Sequence, residues 1–220
     1  MNPRLILGTG VVASIAALLL AVAAAPVLRA TDLRLYDAAL RGRWIEDPAT
    51  SVTLVAVDDA SIAAQGQWPW PRNELARLVD TLVARGAAVV ALDLLLSEPD
   101  RSAIGGLTPA DTLTPTDAAL ARALGGGPTV AGHVFTFDAP GQPGSTECVL
   151  HPLPLVQVRR GDLPDPLASL FHPTGLVCAL PGLSRAARAS GFLNASPDRD
   201  GVMRRAPLLV AWNDHAIPAL

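Results

Sequence analysis

Lysine is absent from this chain of 220 residues, and all 17 of its basic residues are arginine. The chain therefore offers no lysine nucleophile and no phosphate-binding lysine. Charge is scarce as well, since charged residues make up 17% of the chain and the formal net charge is -3. A nucleic-acid-binding protein needs a clustered basic face, so this composition argues against nucleic acid as a partner.

Sequence signatures of the common catalytic centres are also missing. No G-x-S-x-G, Walker loop, G-x-G-x-x-G or H-E-x-x-H occurs, and no two of the four histidines are three or four residues apart. The sequence therefore shows no motif that pairs a nucleophile with a general base. We expect a chain that is not an enzyme and that carries no cofactor.

A long apolar segment lies near the start of the chain. Residues 5–28 include no charged side chain, and Arg4 and Arg29 bracket them. Roughly 20 apolar residues suffice for a helix to span a bilayer. The segment predicts an uncleaved transmembrane anchor over residues 1–29, with a cleaved signal peptide as the alternative. Both send residues 30–220 across the membrane, although the arginines on the two sides do not favour that orientation.

The chain has only two cysteines, Cys148 and Cys178. In an oxidising compartment the two could form a disulfide. Spacing alone does not show that two cysteines meet, so a disulfide and two unrelated thiols are equal alternatives.

The middle of the chain has the pattern of an α/β fold. Residues 51–57 are β-branched and apolar, as in a strand buried on both faces. An amphipathic helix follows from Asn73 and is stopped by Gly86, and residues 87–92 form a second apolar run. Strand, helix and strand at this spacing predict two parallel strands. We expect a parallel or mixed central sheet flanked by helices.

Later segments continue the alternation of helices and strands. The letters T-P-T-D at 114–117 predict the capped start of a helix, and residues 128–137 contain a strand. Residues 183–189 predict another helix. The letters S-P-D-R-D-G at 196–201 predict a turn between two strands.

Acidic residues follow both strands of the predicted parallel pair. Asp58 and Asp59 come after the first strand and Asp93 after the second, and Glu98 could approach the same place. Ligands of α/β proteins bind at the carboxyl edge of the strands. Carboxylates there could hold Ca²⁺ or Mg²⁺, but aspartate also caps helices and forms turns, and we predict no metal site.

Tryptophan and proline alternate just before the predicted helix, in the letters W-P-W-P-R. Pro69 and Pro71 fix their own φ and push Trp68 and Trp70 toward extended geometry, so the segment is a rigid corner. A cation is disfavoured at a helix N-terminus, so Arg72 needs an acid partner, which we expect at the acidic edge. A structural ion pair is the first interpretation, and an anion-binding site is the second. The candidate ligand-binding residues are thus Asp58, Asp59, Arg72 and Asp93.

The acids and their strands resemble those of a phosphoacceptor receiver domain. A receiver needs a lysine, which this chain lacks, and fits an additional strand and helix between its acids. The sequence does not support that assignment.

A second resemblance extends over nearly the whole chain. Its letters are L-Y-D-A-A-L-R at 35–41, V-A-V-D-D-A-S-I at 55–62, W-P-W-P-R at 68–72, G-A-A-V-V-A-L-D-L-L-L-S-E-P-D at 86–100 and G-F-L-N-A-S-P-D-R-D-G-V-M-R-R-A-P-L at 191–208. In this order they resemble the type-two CHASE domain. That family comprises extracytoplasmic sensory domains associated with cyclases and with histidine or serine/threonine kinases.

The resemblance implies a sensor held in the bacterial inner membrane and facing the periplasm. In the family's plan an N-terminal transmembrane helix precedes the sensor, and further transmembrane helices and a cytoplasmic adenylate or guanylate cyclase or kinase follow it. We therefore expect residues 30–220 to be the sensor domain, with Leu220 just before further helices. We also expect a homodimer through membrane-proximal helices and a small-molecule or mechanical signal. A metal-dependent hydrolase using the three aspartates and a non-sensing assembly domain are the alternative functions.

Overall fold

The computed structural model describes residues 3–42, 51–101, 113–137, 148–152, 165–198 and 200–220. The chain divides into two compact units, Met1–Val57 and Asp58–Leu220.

The first unit contains one long helix, α1, from Pro3 to Gly42. Large apolar side chains along it, such as Leu18 and Leu20, are exposed. Among the residues described, no single helix is long and apolar enough to cross a membrane. The two parts of α1, Gly10–Ala25 and Val27–Gly42, meet the length and composition test as a pair bent by 44°. The bend falls at Pro26, where the helix lacks a backbone donor.

The strand predicted over residues 51–57 is not formed. The segment belongs to no strand, and the side chains of Val52 and Leu54 are 79% and 89% exposed. The prediction of a strand buried on both faces was wrong, and the parallel pair expected between residues 51–57 and 87–92 is not formed with it. Strand propensity describes how well a residue fits a half-buried pleated surface, and it does not supply the neighbouring strand.

The described residues of the second unit form four α-helices and one short 3₁₀ helix. The longest, α3 (Arg72–Ala84), buries Leu75, Ala76 and Val79 on one face. Its sequence predicts such an apolar face, because its apolar residues recur at helical spacing. The bounds are α2 Asp59–Gln65, α3 Arg72–Ala84, α4 Pro115–Gly126, the 3₁₀ helix Pro166–Ser169 and α5 Pro181–Ala186.

The central sheet of the second unit is mixed and is organised around one strand. This strand, β2 (Thr129–Thr136), runs parallel to β1 (Val90–Leu92) and β4 (Ala189–Phe192) and antiparallel to β3 (Gly175–Val177). The bounds are β1 Val90–Leu92, β2 Thr129–Thr136, β3 Gly175–Val177 and β4 Ala189–Phe192. The expected α/β class with a mixed sheet and helices is confirmed.

A separate hairpin ends the described chain. Its strands β5, Leu209–Trp212, and β6, His215–Pro218, are antiparallel. The two turn residues between them have φ values of 47° and 61°, as two-residue hairpin turns require. The chain then reaches β4, where the Leu220 N–H donates to the Phe192 carbonyl oxygen at 3.0 Å.

The described residues of this unit form two hydrophobic cores. The first packs α3, α4 and α5 with β1 and includes Leu75, Leu120, Leu124 and Leu183. The second joins the sheet to the hairpin and consists of Phe135, Leu176, Phe192, Val210 and Ile217.

Candidate functional site

The W-P-W-P segment packs as a corner between α2 and α3. The rings of Trp68 and Trp70 meet edge to face at 5.6 Å between centroids, and both rings pack against the first core. The Trp70 indole Nε1 donates to the Gly66 carbonyl oxygen at 2.8 Å. The indoles are therefore held by packing and by a local hydrogen bond, and α3 begins two residues after Trp70.

Arg72 points its guanidinium into the protein. Its side chain is 12% exposed, and its Nε lies 3.5 Å from Oδ1 of Asp117, which is fully buried. The Arg72 backbone N–H donates to Oδ2 of Asp100 at 2.8 Å, and Nη2 donates to the Glu98 carbonyl oxygen at 3.4 Å. Arg72 thus joins the start of α3 to the loop that follows β1.

Asp117 completes a cluster at the start of α4. Its Oδ2 accepts hydrogen bonds from the Thr114 hydroxyl at 2.7 Å and from the Asp100 backbone N–H at 3.1 Å. A carboxylate in the first turn of a helix is also favoured by the helix dipole. We call Arg72, Asp100, Thr114 and Asp117 the Arg72–Asp117 cluster.

The acid partner predicted for Arg72 was wrong. We expected it among Asp58, Asp59 and Asp93, and the structure provides Asp117 from α4. The reason is tertiary, because α3 and α4 pack against each other. The T-P-T-D capping pattern located Asp117 at a helix start, but no local pattern linked it to Arg72.

The three predicted acids of the sheet edge have separate surroundings. Asp58 caps α2, accepting from the Ser61 N–H at 2.9 Å, while the Asp58 N–H donates to the Ser61 hydroxyl at 2.8 Å. Hydrogen bonds from the backbone and then the hydroxyl of Ser61 lower the pKa of Asp58. Asp59 is the first residue of α2, and Asp93 is exposed just after β1.

These acids therefore do not assemble into a metal site. Asp58, Asp59 and Asp93 all lie in the described part of the chain, where no three histidine, cysteine or acidic side chains are grouped to hold a metal ion. The expected acidic edge depended on a strand over residues 51–57, which is not formed. A role of these residues or Arg72 in binding a ligand stays a prediction.

A shallow groove runs between α3 and α4. Its volume is about 440 Å³, and its lining combines alanine with polar and charged side chains. The lining residues are Asn73, Ala76, Arg77, Asp80, Ala119, Arg122 and Ala123. Arg77 on the wall is mostly exposed and pairs with Glu74 at 3.1 Å. The groove is therefore a solvated surface with charges of both signs.

A disulfide joins Cys148 to Cys178, with the two Cα atoms 5.7 Å apart. Both cysteines pack against the second core. The bond ties residues 148–152 to the chain just after β3, so the structure contains the pairing that the sequence left open.

Two histidines beside this disulfide carry buried ring nitrogens. His133 on β2 is 2% exposed, and its ring meets that of Phe135 edge to face at 5.2 Å. Neither of its nitrogens, nor Nδ1 of His151, has a hydrogen-bond partner within the described residues. Burial lowers the pKa of His133 to about 4. No sequence motif singled out this residue, although alternation along the predicted strand places it on the same face as Phe135.

An arginine between two acids stabilises the turn predicted over residues 196–201. The Gly201 N–H donates to the Asp198 carbonyl oxygen at 2.8 Å, and Arg204 pairs with Asp198 at 3.1 Å and with Asp200 at 2.8 Å. The hydrogen bond from Arg204 lowers the pKa of Asp200 to about 2. A turn is formed at Asp200 and Gly201 and its acids hold an arginine, but β4 ends at Phe192 and β5 begins at Leu209, so the turn does not directly join two strands as predicted.

Comparison with known families gives a match over most of the chain. The CHASE2 domain family matches residues 12–220, which confirms the resemblance seen in the sequence. No curated protein and no solved structure matches the chain.

Proposed function

Because the chain belongs to the CHASE2 family of extracytoplasmic sensory domains, we propose that it is the input domain of a bacterial transmembrane signalling protein. The observation that carries this proposal is the extent of the family match, which includes both the apolar helix and the α/β unit. The output that we propose is an adenylate or guanylate cyclase or a kinase. In this proposal, residues 1–220 catalyse no reaction themselves.

The proposed location is the inner membrane, with residues 30–220 on the periplasmic side. The uncharged run of residues 5–28 in the sequence supports residues 1–29 as the anchor, because it exceeds the roughly 20 residues that span a bilayer. The disulfide between Cys148 and Cys178 supports an oxidising compartment, since structural disulfides are rare in the cytosol.

We propose that the signal acts by shifting a population between two arrangements of the domain. A small molecule or a mechanical state that favours one arrangement would change the packing of the helices that enter the membrane. Homodimerisation through the membrane-proximal part of α1 would let two chains convert that change into a relative movement of their helices.

Reporter fusions test the orientation. Alkaline phosphatase, which is active only outside the cytoplasm, and green fluorescent protein, which folds in the cytoplasm, would be fused in separate chains after Trp44 and after Leu220. We expect phosphatase activity and no fluorescence at both positions, because one span carries everything after it across the membrane.

A chain that lacks residues 5–28 is the control, and we expect it to reverse both readouts. Fluorescence after Trp44 in the intact chain would place the α/β unit in the cytoplasm and overturn the proposal.

A further inference from the structure

The ring of His133, which contacts Phe135 of the second core, has no hydrogen-bond partner among the described residues. Both ring nitrogens of His133 and Nδ1 of His151 are buried without a hydrogen-bond partner in the described parts of the chain. Buried polar atoms are nearly always hydrogen-bonded, and each exception requires an explanation. An apolar residue would fill either position at a lower free-energy cost.

His133 occupies the strand to which all other strands of the sheet are joined. It is paired in register with Phe192 on β4, so the two side chains lie on the same face of the sheet. The ring of Phe135 lies 6.0 Å from that of Phe192 and 5.5 Å from that of Trp212 on the hairpin. The His133 ring therefore contacts a group of aromatic rings that connects the sheet to the hairpin.

His151 approaches the same face of the sheet. Its backbone N–H donates to the Ser190 hydroxyl at 2.9 Å, and Ser190 precedes Phe192 by two residues on β4. Residues i and i+2 of a strand share a face. Residues 148–152, which the disulfide holds, thus bring the backbone of a second histidine to the face that carries His133.

The strands that form this face carry no charged group that could neutralise a protonated His133. Strands β1 to β4 contain no acidic or arginine side chain. Asp93 follows β1 and is exposed, and Asp214 in the hairpin turn and His215 at the start of β6 are exposed as well. His151 is a titratable residue whose backbone bonds to this face through Ser190.

We propose that His133 is a proton-binding site through which the domain responds to acidification outside the cytoplasm. This inference rests on the proposed sensory function and names its signal. A proton on His133 places a charge without an acceptor in an apolar core, which disfavours the packed state. The packing of Phe135, Phe192 and Trp212 then loosens, and the hairpin separates from the sheet.

The direction of the pH effect follows from linkage. The pKa of His133 is about 4 in the folded chain, below the ordinary 6.5. The stability that comes from keeping the ring neutral is complete above pH 6.5 and is lost as the pH falls from 6.5 toward 4. At pH 5 we expect the folding equilibrium constant to be about 30-fold smaller than at pH 7.5.

Urea unfolding of the full chain in detergent tests the site, with tryptophan fluorescence as the signal, at pH 7.5 and pH 5. We expect His133→Leu to remove most of the loss between these pH values. The control His172→Gln changes an exposed histidine, and we expect it to retain the loss. A His133→Leu chain that loses stability as the wild type does would overturn the proposal.

Nuclear magnetic resonance of histidine-labelled wild-type chain supplies a readout that does not depend on the variant folding. We expect the His133 ring to titrate near pH 4. Titration of His133 near 6.5 would overturn the proposal. These measurements use purified protein, so they fail or succeed independently of the reporter fusions that test the proposed function.

Discussion

At the scale of single residues, Arg72 is the best-connected charged group near the start of α3. Its backbone bonds to Asp100, and its side chain pairs with the buried Asp117. Removing one partner of a buried ion pair leaves the other charge uncompensated, which costs more than the pair contributes. The position therefore stabilises the junction of α3, α4 and the loop after β1.

We expect Arg72→Ala to lower the free energy of unfolding by about 3–5 kcal/mol, because Asp117 then remains buried as an uncompensated charge. Urea unfolding at neutral pH measures this change. Arg77→Ala is the matched control, since Arg77 pairs with Glu74 but is 73% exposed, and we expect it to cost less than about 1 kcal/mol. Equal costs in the two variants would show that the buried pair has no special role.

Residue-level prediction succeeded where the signal was local. The need of Arg72 for an acid followed from its place at a helix start, and the structure provides that acid. Which acid pairs with Arg72 depends on the packing of α3 against α4, and the sequence near Arg72 does not predict that packing. The same limit hid His133, whose importance comes from the strands on either side of it.

At the scale of elements, sequence patterns predicted where α3 and α4 begin and where the central strand β2 lies. The helix expected from Asn73 begins at Arg72, the helix expected after Thr114 begins at Pro115, and β2 lies within the predicted residues 128–137. Two predictions failed: no strand forms over residues 51–57, and the helix expected over residues 183–189 is Pro181–Ala186, with β4 beginning at Ala189. A helix satisfies its hydrogen bonds within one segment, whereas a strand depends on a partner elsewhere in the chain.

The contact between β4 and the end of the described chain depends on a glycine. A Cβ atom on Gly191 would lie 2.5 Å from the Leu220 Cα, and backbone atoms there cannot rotate away as a side chain can. We expect Gly191→Ala to lower the free energy of unfolding by about 1–3 kcal/mol through overpacking. Thermal or urea unfolding measures the loss.

Gly126→Ala is the control for that substitution. Gly126 is the last residue of α4, and a Cβ atom there meets nothing within 4 Å. Alanine is the better helix former, so we expect stability to be unchanged or slightly higher. If Gly191→Ala were as stable as Gly126→Ala, residues 219–220 would not pack on β4.

At the scale of the whole α/β unit, two cores share one sheet. The helices cover the first core, while the hairpin and residues 148–152, which the disulfide holds, cover the second. The second core has fewer buried residues and relies on segments that are distant in the chain. We therefore expect its stability to depend on the covalent bond between Cys148 and Cys178 more than on any single apolar contact.

Opening that disulfide tests this expectation. The bond closes a loop with a sequence separation of 30, and the chain-entropy relation gives a stabilisation of about 3–4 kcal/mol for such a loop. We expect a Cys148→Ala/Cys178→Ala chain to lose about this much free energy of unfolding, and reductant to weaken the wild type similarly. Reductant should leave the double variant unchanged, because it has no bond to open. A wild-type chain equally insensitive to reductant would mean that the two thiols are not joined, and the second core would then depend on its apolar contacts alone.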